Sequence, residues 1–127
     1  MELNKILCID DDPDILAIVQ VSLEALGGYV LHTCLSGGEG IRVAASWQPD
    51  LVLTDVMMPE LDGIATFKLL RENQATARIP IAFMTACVEQ SQQEYYRSLG
   101  AAGLIQKPFD PITLPNEVRA VWQTLAA

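Results

Sequence analysis

Acidic, hydroxyl and basic side chains follow four of the five apolar runs in this sequence. The three aspartates at positions 10–12 follow the first run, and Asp55 follows the third. Thr85 and Lys107 follow the fourth and fifth runs in the same way. If the runs are parallel strands of one sheet, their carboxyl ends share one edge, which is where such sheets bind ligands. We therefore expect these side chains to form one site.

Carboxylates gathered at one sheet edge indicate a site for a divalent cation. Two unit charges 4 Å apart repel by about 4 kcal/mol at an effective dielectric near 20, so a bare cluster is unfavourable. Magnesium prefers one or two carboxylates together with waters and a phosphate oxygen. A site with several aspartates at one edge offers this combination, and Mg²⁺ is the expected cofactor.

The hydroxyl of Thr85 and the ammonium of Lys107 are suited to hold a phosphoryl group beside that cation. Phosphoryl transfer depends mostly on positioning and charge neutralisation, which a metal, a lysine and a hydroxyl supply. A carboxylate can serve as the nucleophile and form an aspartyl phosphate. Asp55 stands alone at the end of a central strand, so it is the best candidate for this role.

The five apolar runs have strand length and predict the sheet that positions these residues. Most are rich in Ile, Val and Leu and nearly continuous, which is typical of strands covered on both faces of a parallel sheet. The runs occupy positions 5–9, 29–34, 51–54, 81–84 and 103–105.

Segments with helical periodicity and helix-boundary residues lie between the runs and predict five helices. Alternating strands and helices predict an α/β fold, a three-layer α/β/α sandwich with a flavodoxin-like doubly wound parallel sheet of order 2-1-3-4-5. The expected starts are Asp12 with Pro13, Ser36, Asp62, Val88 and Thr113, and the expected stops include Gly27-Gly28 and Gly100.

Length and composition predict a single domain, residues 1–127, with no direct nucleic-acid or membrane binding. Sixteen acidic residues against eight basic ones give a net charge of −8, which repels phosphate backbones and anionic lipid. The start shows no signal peptide, and no apolar stretch is long enough to span a bilayer. Three widely spaced cysteines and a single histidine, His32, argue against a zinc site and for a reduced, cytoplasmic protein. We expect His32 to be structural.

An ordered set of motifs resembles the receiver domain of bacterial two-component response regulators over essentially the whole chain. No single motif is specific for this family, but the order and spacing of the whole set are. The motifs are ILCIDDDP at 6–13, PDLVLTDVMMP at 49–59, LDG at 61–63, GAAG at 100–103 and KPF at 107–109.

The resemblance implies that Asp55 is the phospho-acceptor and that the chain is a signalling switch, not a turnover enzyme. Thr85 would contact the phosphoryl group and shift towards it on activation, and Lys107 would pair with a phosphoryl oxygen. The Lys107-Pro108 bond would be cis. The phosphoryl donor would be a sensor histidine kinase, a phosphotransfer protein or a small molecule such as acetyl phosphate.

The resemblance also implies a ligand set and partners. Asp10, Asp11 and Asp55, with the backbone carbonyl of Met57, would hold Mg²⁺. A downstream protein partner or an output domain would recognise the phosphorylated form. The contact surface would be the face of the fourth helix, fifth strand and fifth helix, near Tyr95 and Tyr96.

Two features depart from the usual pattern or modify it. Leu104 stands three residues before the lysine, where family members usually carry Tyr or Phe, so the usual coupled motion of hydroxyl and ring cannot occur in its standard form. Met57 and Cys87 lie two positions past Asp55 and Thr85. Neither offers a good polar group to orient an attacking water, so we expect slow self-hydrolysis of the phosphorylated form.

Three alternative functions remain open from the sequence. Asp10-x-Asp12 superficially fits a haloacid-dehalogenase-like phosphatase, although the chain is too short for that family's usual core and cap. A flavodoxin-like electron carrier needs a first loop that accepts phosphate, whereas this loop is a run of aspartates. The third alternative is a receiver-like interaction module that is not phosphorylated, and Leu104 keeps it open.

Overall fold

A parallel sheet forms the centre of the molecule in the computed structural model, which describes residues 2–86 and 89–126. Within these residues the sheet has five strands in the order β2-β1-β3-β4-β5, with every neighbouring pair parallel. The sequence predicted this order. The strands are β1 Lys5–Ile9, β2 Val30–Cys34, β3 Leu51–Asp55, β4 Ile81–Thr85 and β5 Gly103–Gln106.

Helices follow the strands and cover both faces of the sheet, which confirms the predicted α/β sandwich. The fourth helix was expected from Val88, but positions 87 and 88 lie outside the described residues. The helices are α1 Pro13–Gln20, continued by a π-helical segment Val21–Leu26, α2 Gly37–Trp47, α3 Gly63–Glu72, α4 Gln90–Ser98 and α5 Leu114–Ala126. None of the described helices is long and apolar enough to cross a bilayer.

Three of the expected caps are formed by side-chain oxygens. Asp12 accepts a hydrogen bond from the amide of Asp14, and Ser36 accepts one from the amide of Glu39. Asp62 accepts one from Ala65 and starts α3. Each cap satisfies a backbone donor that the first helical turn leaves without an intrahelical acceptor.

The first helix differs from the expectation in its last part, which is π-helical from Val21 to Leu26. Ser22 in this segment is buried, and its hydroxyl donates to the carbonyl of Pro111 at 2.5 Å. This contact ties the first helix to the loop between β5 and α5. In this π-helical segment the buried hydroxyl of Ser22 thus finds a backbone acceptor inside the protein.

Each face of the sheet carries its own apolar core. One core packs the sheet against α1 and α5, and the other packs it against α2, α3 and α4. Cys8 belongs to the first core and Cys34 to the second. Burial raises the pKa of the Cys8 thiol far above its ordinary value and that of Cys34 to about 12. Both thiols are therefore protonated at neutral pH.

Candidate functional site

Asp10 and Asp55 lie at the carboxyl ends of β1 and β3, which are neighbours in the sheet. Their residues are only 1% and 7% exposed. Asp10 is fixed by its backbone, whose amide donates to the carbonyl of Cys34, and by its Oδ1, which accepts from the amide of Asp12. Asp10 is therefore held in place at the base of the site, on the strand next to the one that ends in Asp55.

Lys107 reaches both carboxylates from the end of β5. Its Nζ lies 2.6 Å from Oδ2 of Asp10 and 3.2 Å from Oδ1 of Asp55. Its own amide donates to the carbonyl of Thr85 at 2.9 Å, and the peptide bond to Pro108 is cis, as expected. The structure thus brings the lysine predicted from the sequence to the two aspartates.

Thr85 is buried and ends β4 beside the same cluster. The residue before it, Met84, is the register partner of Asp55. Thr85, Asp55 and Lys107 therefore meet at one edge of the sheet, as their positions after the apolar runs predicted.

The acidic cluster has a geometry that fits a divalent cation. Asp10, Asp11 and Asp55 each offer a carboxylate oxygen, and these oxygens all lie within 4.8 Å of one another. Asp11 is exposed, so the cluster is open to solvent on one side. Oxygen-only ligands and an open side suit Mg²⁺, which retains several waters when bound. The expected fourth ligand, the backbone carbonyl of Met57, stays a prediction.

Burial and neighbouring charges shift the pKa values of the two central groups. Burial first, and then the charge of Asp10, raise the pKa of Asp55, although Lys107 partly counteracts them. Burial alone would lower the pKa of Lys107, but its hydrogen bond and charge interaction with Asp10, and then with Asp55, raise it instead. The lysine therefore stays cationic where the carboxylates meet.

Gly63 is a site residue that the sequence reasoning did not single out for a role. A Cβ atom there would overlap the carbonyl oxygen of Asp55 and approach the Cα of Val56 to 2.8 Å. The amide of Gly63 donates to the carbonyl of Val56. Only glycine allows the start of α3 to pass this close to Asp55, and the Asp-Gly pair at 62–63 was the available signal.

Several polar residues lie outside the site. Asp12, Asp14 and Asp62 serve α1 and α3 as caps or first-turn acids, as expected. Asp50 lies before β3, at the opposite end of that strand from Asp55, and accepts hydrogen bonds from the amides of residues 4 and 5. His32 packs its ring 5.5 Å from that of Trp47, in keeping with a structural role.

The two tyrosines expected near the partner surface differ in exposure. The sequence interpretation placed Tyr95 and Tyr96 together beside that surface, but Tyr96 is buried against Phe83 while Tyr95 is half exposed. Consecutive side chains of a helix point about 100° apart, so one of these neighbours can pack inward while the other stays at the surface. Cys87, expected to influence water access, lies outside the described residues.

The fold and the site together define a doubly wound α/β protein with an acidic, lysine-bridged centre at the carboxyl ends of its strands. The family described as "Response regulator receiver domain" matches residues 6–119. The chain belongs to this family. Receiver domains are signalling modules of two-component systems, for which phosphorylation and Mg²⁺ are standard. Membership decides against the phosphatase and electron-carrier alternatives.

Curated relatives and solved structures agree with this family. The chain is 36% identical over 117 residues to the DNA-binding dual master transcriptional regulator RpaA of Synechocystis, covering 92% of this chain and 48% of that protein. It is 32% identical to the protein PilH of Pseudomonas aeruginosa, covering 92% of this chain and 96% of PilH.

The chain thus spans about half the length of some of its curated relatives and nearly all of PilH. The solved structure of the chemotaxis response regulator CheY4 of Vibrio cholerae superimposes with a TM-score of 0.86 at 28% identity. That similarity covers 94% of this chain and 99% of CheY4.

Proposed function

We propose that this chain is a phosphorylation-dependent switch, one receiver domain over residues 1–127, that accepts a phosphoryl group on Asp55. The donor is a sensor histidine kinase or a phosphotransfer protein of a two-component phosphorelay. The observation that carries this proposal is the position of Lys107, whose ammonium contacts both Asp10 and Asp55. A cation in that position can neutralise an oxygen of a phosphoryl group on Asp55.

Asp55 acts as the nucleophile. One of its carboxylate oxygens attacks phosphorus, the bond from phosphorus to the donor nitrogen or acetate oxygen breaks, and the donor leaves with that electron pair. The carboxylate must be ionised for this attack. Burial and the neighbouring charge of Asp10 raise the pKa of this carboxyl above its ordinary value, which favours nucleophilic character over that of an exposed aspartate.

Lys107 and Thr85 stabilise the transferred group. The raised pKa of Lys107 keeps it protonated throughout the physiological range, so it offers a permanent positive charge. The hydroxyl of Thr85 can donate a hydrogen bond to a phosphoryl oxygen. These are the positioning and charge-neutralising roles on which phosphoryl transfer chiefly depends.

Asp10, Asp11 and Asp55, together with the backbone carbonyl of Met57, would hold Mg²⁺. When bound, the ion neutralises charge that builds up on the phosphoryl oxygens. The mutual proximity of the three carboxylate oxygens supports this ligand set. Asp10 would then interact with both the cation and Lys107, through a carboxylate that is almost fully buried.

The phosphorylated form would signal through protein contact. A downstream protein or an output domain would bind at the face made by α4, β5 and α5, where Tyr95 is exposed. Direct nucleic-acid or membrane contact is disfavoured by the net charge of −8. The two buried, free thiols Cys8 and Cys34 support a reducing compartment, and we assign the chain to the cytoplasm.

The experiment that tests this function maps the modified residue. The chain is incubated with Mg²⁺ and phosphoramidate, a small phosphorus–nitrogen donor that mimics phosphohistidine, and its peptides are then analysed by mass. Asp55→Asn is the test variant, and Asp14→Asn, at an exposed acid in α1, is the control. The proposal is supported if the peptide that contains position 55 is modified in wild type and in Asp14→Asn but not in Asp55→Asn. Absence of modification with this donor and with a kinase favours an unphosphorylated interaction module.

A further inference from the structure

Helix α4 is fixed to the sheet through one buried side chain. Of its nine residues, all of which the structure describes, only Tyr96 is buried, at 6% exposure. Its N-cap residue, Glu89, makes no side-chain capping hydrogen bond. Leu99, directly after the helix, adds a partly buried contact. Most of the stability of a protein helix comes from packing of its apolar face, so the position of α4 depends chiefly on Tyr96.

The buried side of α4 ends in a row of aromatic rings. The ring of Tyr96 lies 5.3 Å from that of Phe83 on β4, and Phe83 lies 5.6 Å from Phe67 on α3. Tyr95 lies 5.8 Å from Tyr96 and is 49% exposed. The row therefore runs from the core to the surface of α4.

Phe83 connects this row to the site. It lies two residues before Thr85 on β4, and residues i and i+2 of a strand point to the same face of the sheet. Its register partner on β5 is Leu104, an aliphatic residue. The aromatic ring that precedes Thr85 on this face is thus that of Phe83 on β4, and Tyr96 of α4 packs on it.

We infer that Tyr96 is the residue that couples the Thr85 end of β4 to the position of α4. This inference rests on the proposed function, because a phosphoryl group on Asp55 is what displaces Thr85. A shift of Thr85 alters the strand end next to Phe83, and Phe83 is the surface on which Tyr96 packs. Since packed contacts have discrete alternatives, a small shift there moves α4 between two positions.

The exposed neighbour Tyr95 turns with Tyr96 because both belong to one helix. A change in how the Tyr96 ring packs on Phe83 therefore changes the surface that Tyr95 presents to a partner. Tyr96 acts as a positioning residue through α4, and its ring, not its hydroxyl, carries the contact with Phe83.

Amide hydrogen exchange of α4 tests this inference. Exchange is measured for wild type, Tyr96→Ala, Tyr96→Phe and Tyr95→Ala, each before and after incubation with acetyl phosphate and Mg²⁺. Intact mass reports the phosphorylated fraction of every sample. Before phosphorylation, we expect α4 amides of Tyr96→Ala to exchange at least about tenfold faster than wild type, since truncating a buried aromatic side chain removes most of its packing. Tyr96→Phe and Tyr95→Ala should match wild type.

After phosphorylation, wild type, Tyr96→Phe and Tyr95→Ala should show a change in α4 exchange that Tyr96→Ala lacks, although Tyr96→Ala still gains the phosphoryl group. A phosphorylation-dependent change that persists in Tyr96→Ala overturns the inference, as does an equal loss in Tyr95→Ala. If wild type gains no mass, the proposed function fails and with it the coupling. The comparison before phosphorylation then still decides whether Tyr96 anchors α4. If Tyr96→Ala unfolds globally, Tyr96→Leu replaces it with the same expected loss of response.

Discussion

The ammonium of Lys107 lies closer to Asp10 than to Asp55, at 2.6 Å against 3.2 Å. Asp10 is the more buried of the two acids, so its charge most needs compensation. Lys107 therefore has two roles. It balances the acidic cluster in the unphosphorylated protein, and it is already in contact with the aspartate that would receive the phosphoryl group.

Removal of this lysine should destabilise the protein. Lys107→Ala leaves Asp10 and Asp55 without their shared cation, and breaking a largely buried ion pair from one side costs about 3 kcal/mol. We expect a loss of this size in the free energy of unfolding, measured by urea denaturation without divalent cations. Mg²⁺ should stabilise the variant more than wild type, because the ion replaces the missing positive charge.

Lys68→Ala is the matched control, because Lys68 is exposed on α3. Exposed substitutions of this kind usually change stability by no more than about 0.5 kcal/mol. Equal destabilisation in the two variants would show that Lys107 does not balance the acidic cluster.

The raised pKa of Asp55 predicts a pH-dependent effect of its neutral isostere. Because the folded pKa lies above the unfolded value of about 3.9, the folded state binds this proton more tightly. The stability that this proton contributes is full below the unfolded pKa and is lost as the pH rises through the folded pKa.

Asp55→Asn has no carboxyl to ionise, so it does not lose stability as the pH rises. At pH 7 without Mg²⁺ it should be more stable than wild type by on the order of 1 kcal/mol, because charge repulsion is relieved. The difference should shrink as the pH falls through the raised folded pKa and be absent below the unfolded value of about 3.9, because the wild-type carboxyl is then protonated. Urea denaturation at several pH values measures it. A difference that stays constant with pH would mean that Asp55 does not titrate with a raised pKa.

The apolar runs were enough to predict the sheet and its order, although three of the runs stop one residue before the end of their strand. The strands β3, β4 and β5 each extend one residue past the apolar run, to Asp55, Thr85 and Gln106. The apolar run ends where the polar side chains of the site begin, whereas the backbone hydrogen bonds of the strand continue into the site. A residue of the site can therefore belong to the strand itself.

Other features depend on contacts that a linear pattern does not contain. The convergence of Lys107 with Asp10 and Asp55 followed from topology, but the closer approach to Asp10 required distances. The wider π-helical turn at Ser22 depends on an acceptor 89 residues away. The burial of Tyr96 could not be predicted, because residue type alone does not say which side of α4 packs on Phe83.

Gly63→Ala should disturb the site without changing any charged group. The new methyl group would overlap the carbonyl of Asp55, so the strand end or the start of α3 must move. We expect a loss of about 1–3 kcal/mol in unfolding free energy, which is typical of overpacking. Phosphorylation by acetyl phosphate should also become slower.

Gly38→Ala serves as the control, because a methyl group there meets nothing closer than 3.9 Å, the guanidinium of Arg42. Gly38 lies in the first turn of α2, where alanine is at least as compatible with the helix as glycine. The control should therefore be neutral or stabilising. If Gly63→Ala behaved like Gly38→Ala, the close approach to Asp55 would have no consequence.

The phosphorylated form should lose its phosphoryl group slowly. Met57 is 80% exposed and has no strong polar group to orient an attacking water. Introducing such a group with Met57→Glu should speed the loss at least about tenfold, within the range of general-base effects. Met57→Leu should not. Decay of intact mass after removal of the donor measures the rate, and rapid loss from both wild type and Met57→Leu would contradict this account.

The most direct test of the central claim is intact mass after incubation with acetyl phosphate. Wild type and Asp55→Asn are compared with and without Mg²⁺, with Asp14→Asn as a control at an exposed acid. The account predicts a gain of one phosphoryl group in wild type and in Asp14→Asn, only when Mg²⁺ is present, and no gain in Asp55→Asn. A gain that survives in Asp55→Asn, or that does not require Mg²⁺, would contradict the assignment of Asp55 as the acceptor beside a cation site.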